Sequence, residues 1–210
     1  MTIAKERLRL YGVTDRGCLH GQTLYHAVEA ALRGGMTMVQ LREKELDEET
    51  FLAEAIRLHQ LCQKYQVPLI INDNVRICLL SGAEGVHIGQ DDMSLPEARK
   101  LLGKEKIIGA TAHNVEEAIR AAEDGADYLG CGAAFGSSTK KNARPIDRTQ
   151  YRSITGAVTI PVCAIGGITT ENVRLLQGMG LSGIAVISGL FGEPDIEATA
   201  QKLYAMSTQL

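Results

Sequence analysis

Polar and ionisable side chains follow directly after four short apolar runs of this 210-residue chain. They occupy residues 40–44 (Gln-Leu-Arg-Glu-Lys), 72–74 (Asn-Asp-Asn), 90–92 (Gln-Asp-Asp) and 111–113 (Thr-Ala-His). One polar residue in a loop is usually just solvated, but the same arrangement after four successive runs is typical of a binding site at strand ends. Cations beside carboxylates in such a site are suited to phosphate and metal chemistry.

Asp73 and Asp92 are the candidate metal ligands among these residues. Carboxylate oxygens suit Mg²⁺, which usually keeps water and substrate phosphate as its other ligands. Both residues also stand just before helical patterns, at 75–80 and 95–102, so capping of these helices is an equally good interpretation. Asp91 competes with Asp92 as a ligand, and the sequence leaves both questions open.

Glycine-containing turns near the C-terminus predict phosphate binding. The motif Ile-Gly-Gly-Ile-Thr at 165–169 follows one apolar run, and Val-Ile-Ser-Gly at 186–189 ends another. Backbone amides at such turns bind phosphate oxygens, although glycines can also serve only to permit a tight turn. The Ser-Ser-Thr-Lys segment at 137–140 adds hydroxyl donors and a cation for a second phosphate group.

The elements that must position these residues alternate regularly along the chain. Eight apolar runs predict strands, and helical periodicity between them is clearest at 49–65, with similar patterns at 115–123 and 171–176. The predicted strands are residues 8–13, 36–41, 68–71, 85–88, 107–110, 127–131, 162–165 and 183–187. Eight such units predict a closed α/β barrel, the (β/α)8 TIM barrel, as a single domain over residues 1–210, with a doubly wound open sheet as the alternative.

Composition excludes several other classes of protein. The net charge is −3, from 22 Lys and Arg against 25 Asp and Glu, so no nucleic-acid partner is expected. No apolar run approaches the roughly 20 residues that cross a bilayer, and the charged N-terminus predicts a cytoplasmic protein without a secretory signal. The five cysteines contain no Cys-x-x-Cys pair, which argues against a zinc cluster or a disulfide framework. A homo-oligomer is compatible with this composition.

The assembled motifs closely resemble the thiamine-phosphate synthase family, also called thiamine-phosphate pyrophosphorylase. The matching segments are residues 11–15, 38–44, 68–73, 85–92, 125–130, 139–140 and 164–168. The resemblance implies a (β/α)8 barrel and a transferase that joins hydroxymethylpyrimidine pyrophosphate to thiazole phosphate with Mg²⁺, releasing thiamine phosphate and pyrophosphate. It also implies a dissociative reaction, in which pyrophosphate leaves before the thiazole nitrogen attacks, so no strong protein base is required.

The resemblance further implies a role for each matching position. The pyrimidine pyrophosphate would be bound by Gln40, Leu41, Arg42, Glu43, Lys44, Asn72, Thr111 and Lys140, with Arg42, Lys44 and Lys140 as the catalytic cations. The thiazole phosphate would be bound by Ser137, Ser138, Thr139, Gly167, Ile187 and Ser188. Asp73 and Asp92 would ligand Mg²⁺.

Two other functions compete with this one. A thiazole tautomerase of the related branch is expected to lack the carboxylate pair and to carry a histidine early in the sixth loop, where this chain has Ala133. A non-catalytic barrel that senses a phosphorylated metabolite would not need Asp73, Asp92 and Lys140 together. His87 and His113 lack a recognisable triad partner and are expected to be packing residues.

Overall fold

The computed structural model describes residues 3–136 and 146–210, which form a closed barrel of eight parallel strands. Strand β1 pairs with β8 through Leu10 and Ile184, so the sheet closes and the open-sheet alternative is wrong. The strands are β1 (Leu10–Val13), β2 (Met38–Leu41), β3 (Leu69–Asn72), β4 (Gly85–Ile88), β5 (Ile107–Ala112), β6 (Tyr128–Gly132), β7 (Val162–Ile165) and β8 (Gly183–Val186). The prediction of a (β/α)8 TIM barrel is confirmed.

Helices on the outside connect the strands. They are α1 (Leu24–Arg33), α2 (Glu48–Lys64), α3 (Val75–Ser81), α4 (Leu95–Leu102), α5 (Val115–Glu123), α6 (Arg148–Ala157), α7 (Ser188–Phe191) and α8 (Ile196–Ser207). The helical pattern predicted at 171–176 forms only a short 3₁₀ helix, Val173–Leu176. No described helix is long and apolar enough to cross a membrane.

Side chains alternate between two cores along each strand. One core lies between the strands and the helices and includes Leu41, Ile71 and Val86. The other fills the barrel interior, with Tyr11, Met38, Ile70, Tyr128, Cys163 and Ala185 among its members. Because polar residues at the carboxyl ends of the strands continue the interior rows, the fold brings the candidate site residues to one rim of the barrel.

Candidate active site

Lys44, Asp73 and Asp92 meet at the carboxyl ends of β2, β3 and β4. The Nζ atom of Lys44 lies 3.2 Å from Oδ2 of Asp73, and the Asp92 side chain is within hydrogen-bonding contact of the same carboxyl group. Asp73 adopts a left-handed backbone conformation, with φ of 61°, directly after Asn72 ends β3. Aspartate tolerates this conformation better than most residues do. The structure therefore brings together Asp73 and Asp92, the two carboxylates that the sequence indicates as candidate metal ligands.

The electrostatics of Asp73 favour a bound cation. Burial, the hydrogen bond with Asp92 and the charge of Asp92 raise the pKa of Asp73, while Lys44 opposes this effect. Two carboxylates in contact repel each other when both are ionised, and a hard divalent cation relieves that repulsion. Within residues 3–136 and 146–210, no group of three Asp, Glu, His or Cys side chains forms a metal cage. Two carboxylates leave coordination positions on Mg²⁺ of the kind that water and substrate oxygens usually fill.

The helix-capping interpretation of these aspartates is wrong. Helix α3 is capped by Asn74, whose side chain accepts a hydrogen bond from the backbone N–H of Ile77. The N-cap of α4 is Ser94. Asp92 instead accepts a hydrogen bond from the backbone N–H of Gly89 at 2.9 Å, which holds the turn that presents Asp92 to Asp73.

The side chains at and just after the end of β2 make separate contacts with different parts of the barrel. Arg42 Nη1 lies 3.3 Å from Oδ2 of Asp15, and its backbone N–H donates to Thr14 Oγ1. The Glu43 carboxylate pairs with Arg16 at 2.8 Å. Leu41 is fully buried in the outer core, so its side chain does not face the site. Thr14 and Asp15 support this segment, a role that the sequence motifs did not predict, although both residues directly follow β1 within the matching segment 11–15.

The three uncharged polar side chains of the predicted site have different partners. Gln40 lies near the carboxyl end of β2, where it is 4% exposed. Its amide nitrogen donates to the hydroxyl of Tyr11 at 2.5 Å. Asn72 Nδ2 donates to Asp73 Oδ2. Thr111 Oγ1 lies 3.0 Å from Nε2 of His87. Hydrogen bonds inside the barrel therefore fix Gln40 and Thr111, and the carboxylate of Asp73 fixes Asn72.

The glycine turn after β7 packs against the segment after β6. Gly166 and Gly167 have φ of 105° and 63°, and a Cβ at Gly167 would lie 2.9 Å from the backbone oxygen of Gly136. Phe135 donates its backbone N–H to Gly166 O at 3.0 Å. These glycines are thus required for a positive φ and for close backbone approach, beyond a simple tight turn.

The short helix α7 begins where the sequence analysis places the other phosphate-binding residues. Ile187 is its N-cap, and its first internal hydrogen bonds run from Leu190 and Phe191 to Ile187 O. The amides of Ser188 and Gly189 precede those bonds and belong to the first turn, where helices leave N–H groups for other acceptors. Gly167, Ile187 and Ser188 thus lie on the last two strand ends. Ser137, Ser138, Thr139 and Lys140 lie outside the described residues.

The sequence of residues 10–190 matches the family described as thiamine monophosphate synthase. The chain belongs to that family. It is 46% identical over 196 residues to the thiamine-phosphate synthase of Clostridium acetobutylicum, and the match covers 93% of each chain. The thiamine-phosphate synthase of Ruminiclostridium cellulolyticum is 46% identical over 194 residues, 92% of each chain. The structure of thiamine phosphate pyrophosphorylase from Pyrococcus furiosus is similar with a TM-score of 0.90 and 35% identity, covering 97% of both chains.

Membership of the thiamine monophosphate synthase family makes this protein an enzyme, a transferase of thiamine biosynthesis. The resemblance drawn from the sequence motifs is confirmed by these similarities and by the barrel itself.

Proposed function

We propose that this enzyme joins hydroxymethylpyrimidine pyrophosphate to thiazole phosphate, forming thiamine phosphate and releasing pyrophosphate, with Mg²⁺ as its metal ion. The contact between Asp73 and Asp92, with Lys44 beside them, carries the proposal. This arrangement suits a substrate that brings its own phosphate oxygens to a metal ion. The family's need for a divalent metal supports the same assignment.

The charged side chains of the site would stabilise the departing pyrophosphate. Lys44 and Arg42 present cations after β2, and both are held by aspartates, Asp73 and Asp15, until an anionic ligand competes for them. Lys140 is proposed as the third cation. A bound Mg²⁺ would neutralise further charge on the pyrophosphate oxygens. Catalysis would then rest on electrostatic stabilisation and on positioning of the acceptor nitrogen, without a protein base.

The thiazole phosphate is proposed to bind at the ends of β7 and β8. Gly167 supplies a turn with positive φ, and Ile187 and Ser188 begin the short helix α7. Backbone N–H groups at such positions are suited to phosphate oxygens. Ser137, Ser138 and Thr139 are proposed to complete this subsite with their hydroxyl groups.

A turnover assay tests the proposal. Purified enzyme is incubated with both substrates and MgCl₂, and thiamine phosphate and pyrophosphate are quantified separately, with each substrate omitted in turn. We expect the two products in equal amounts and only when both substrates are present. Conversion of a thiazole carboxylate phosphate without the pyrimidine would instead identify a tautomerase. Saturable binding of a substrate without any product would identify a metabolite sensor.

A further inference from the structure

Five polar side chains from five strands form one continuous hydrogen-bonded chain across the barrel interior. Gln40 Nε2 donates to Tyr11 Oη at 2.5 Å, and the hydroxyls of Tyr11 and Tyr128 are 2.8 Å apart. Tyr128 Oη lies 3.1 Å from Nδ1 of His87, and Nε2 of His87 lies 3.0 Å from Thr111 Oγ1. We call this set, Gln40, Tyr11, Tyr128, His87 and Thr111, the interior chain. Its two ends are both residues of the candidate site.

The middle of the interior chain is held rigidly. Tyr11 is 1% exposed and Tyr128 is fully buried, and their rings pack edge to face with centroids 5.8 Å apart. Gly109 leaves space for Tyr128, since a Cβ there would lie 2.1 Å from the ring. Gly130 leaves space for His87 in the same way, since a Cβ there would lie 3.2 Å from Cε1 of the His87 ring. Because these side chains have little freedom to move, their hydrogen bonds have fixed partners.

The protons carried by each group determine which partner donates in every hydrogen bond of the interior chain. Burial raises the pKa of both tyrosines, so each hydroxyl keeps one proton to donate at neutral pH. With the amide nitrogen of Gln40 assigned toward Tyr11, the Tyr11 hydroxyl accepts from Gln40 and its own proton is available to Tyr128. Tyr128 in turn donates to Nδ1 of His87. A neutral His87 then carries its proton on Nε2 and donates it to Thr111, whose own hydroxyl proton is directed to another acceptor.

We propose that the interior chain gives the pyrimidine site a fixed polarity, in which Gln40 Oε1 accepts and the Thr111 hydroxyl donates. This inference rests on the proposed function. A 4-aminopyrimidine bound between these two ends would match that polarity, because it offers an amino N–H donor next to a ring-nitrogen acceptor. Its 4-oxo analogue offers the reverse pair, an oxygen acceptor next to a ring N–H donor. Tyr11, Tyr128 and His87 are thus positioning residues that select the aminopyrimidine.

The opposite direction of the chain makes a different, observable prediction. If the Gln40 amide were turned by 180°, every proton in the chain would shift, and His87 would carry its proton on Nδ1. Nitrogen-15 NMR of histidine-labelled, ligand-free enzyme distinguishes the two tautomers. The chain has five histidines, so the His87 signal is identified by elimination with variants of the other four. The Nε2–H tautomer is expected, and the Nδ1–H tautomer or a protonated ring at pH 7.5 would overturn the proposal.

Binding selectivity tests the functional consequence. Calorimetric titration compares 4-amino-2-methyl-5-hydroxymethylpyrimidine with its 4-oxo analogue, and the measured quantity is the ratio of their dissociation constants. Tyr11→Phe removes the hydroxyl that fixes the Gln40 amide. The amide can then turn to hydrogen-bond either compound, so the preference for the amino compound should fall at least about tenfold. Tyr128→Phe should act in the same way and serves if Tyr11→Phe does not fold.

Tyr151→Phe is the matched control. Tyr151 is 1% exposed, and its hydroxyl donates to Cys131 O at 2.9 Å, outside the interior chain. This variant should keep the wild-type selectivity ratio. An unchanged ratio in Tyr11→Phe and Tyr128→Phe, or an equal loss in Tyr151→Phe, would overturn the inference.

If the proposed function is wrong, the same experiments give different results. Wild-type enzyme would then form no thiamine phosphate and bind neither pyrimidine, whereas the His87 tautomer would still report the direction of the chain. If wild-type enzyme turns over while the selectivity ratios of the variants stay unchanged, only the inference about the interior chain is wrong.

Discussion

Replacing Gly109 by alanine should disrupt both the stability of the barrel and the interior chain. Gly109 lies on β5, and its added Cβ would be 2.1 Å from Cζ and 2.3 Å from Oη of Tyr128. Carbon atoms pack at about 3.5–4.0 Å, so the ring would have to withdraw by more than about 1 Å. Tyr128 has no exposed surface into which it can move. The displacement would therefore break its hydrogen bonds to Tyr11 and His87.

The expected loss of stability follows from two contributions. Overpacking a core by one methyl group costs about 1–3 kcal/mol. The two lost hydrogen bonds contribute about 0.5–1.5 kcal/mol each. Together these predict a loss of about 2–6 kcal/mol, and for a chain of 210 residues the middle of that range, about 4 kcal/mol, lowers Tm by roughly 8–16 °C.

Differential scanning calorimetry of the metal-free protein measures this effect. Gly156→Ala is the matched control, because Gly156 lies in α6 and, among the described residues, no atom outside its own stretch of helix comes within 4 Å of an added Cβ. That variant should keep or raise the wild-type Tm, since alanine is favoured over glycine in helices. A Gly109→Ala protein with wild-type Tm and wild-type selectivity for the aminopyrimidine would refute the packing argument.

Three further predictions concern charge and thiol chemistry. Lys140→Ala should lower kcat more than it raises KM for the thiazole phosphate, because Lys140 is proposed to stabilise the departing pyrophosphate; steady-state kinetics showing only a KM effect would contradict this role. The folded-state pKa of Asp73 lies above its ordinary value of 3.8, so the folded protein binds the extra proton and stability falls as pH rises between these two pKa values. Metal-free wild type should show that fall from about pH 3.8 upward in chemical denaturation, Asp73→Asn should show less of it, and identical pH profiles would exclude the effect. Burial raises the pKa of Cys62 and of Cys131 to about 12, so iodoacetamide at pH 8 should label the partly exposed Cys18 first, as followed by peptide mass spectrometry; equally fast labelling of Cys131 would contradict the burial.

The sequence predicts the strands well because each is a short apolar run bounded by turn residues. The run at 162–165 is observed as β7 without change, and the helix at 115–123 as α5. The pattern at 171–176 misleads, since apolar spacing over six residues does not distinguish an α-helix from a 3₁₀ helix. Local periodicity therefore identifies this fold but not every connecting element.

The site is predictable where its residues directly follow a strand. Asp73 and Asp92 stand out for that reason, but only tertiary structure shows that Asn74 and Ser94 cap the helices and leave the aspartates to each other. His87 is assigned to packing from the sequence because its partners come from two other strands. Contacts between strands distant in sequence have no local signal.

The proposed metal site at Asp73 and Asp92 is tested most directly by the dependence of turnover on Mg²⁺ in three single variants. Thiamine phosphate formation is titrated with MgCl₂ after chelator treatment, for wild type, Asp73→Asn, Asp92→Asn and Asp91→Asn, with folding checked by circular dichroism. Wild type and Asp91→Asn should show the same saturable dependence on Mg²⁺. Asp73→Asn and Asp92→Asn should lose about a hundredfold or more in kcat/KM, as is common when charge stabilisation of a transition state is removed. Full wild-type turnover in excess chelator, or wild-type activity in both of these variants, would show that Asp73 and Asp92 do not hold a catalytic Mg²⁺.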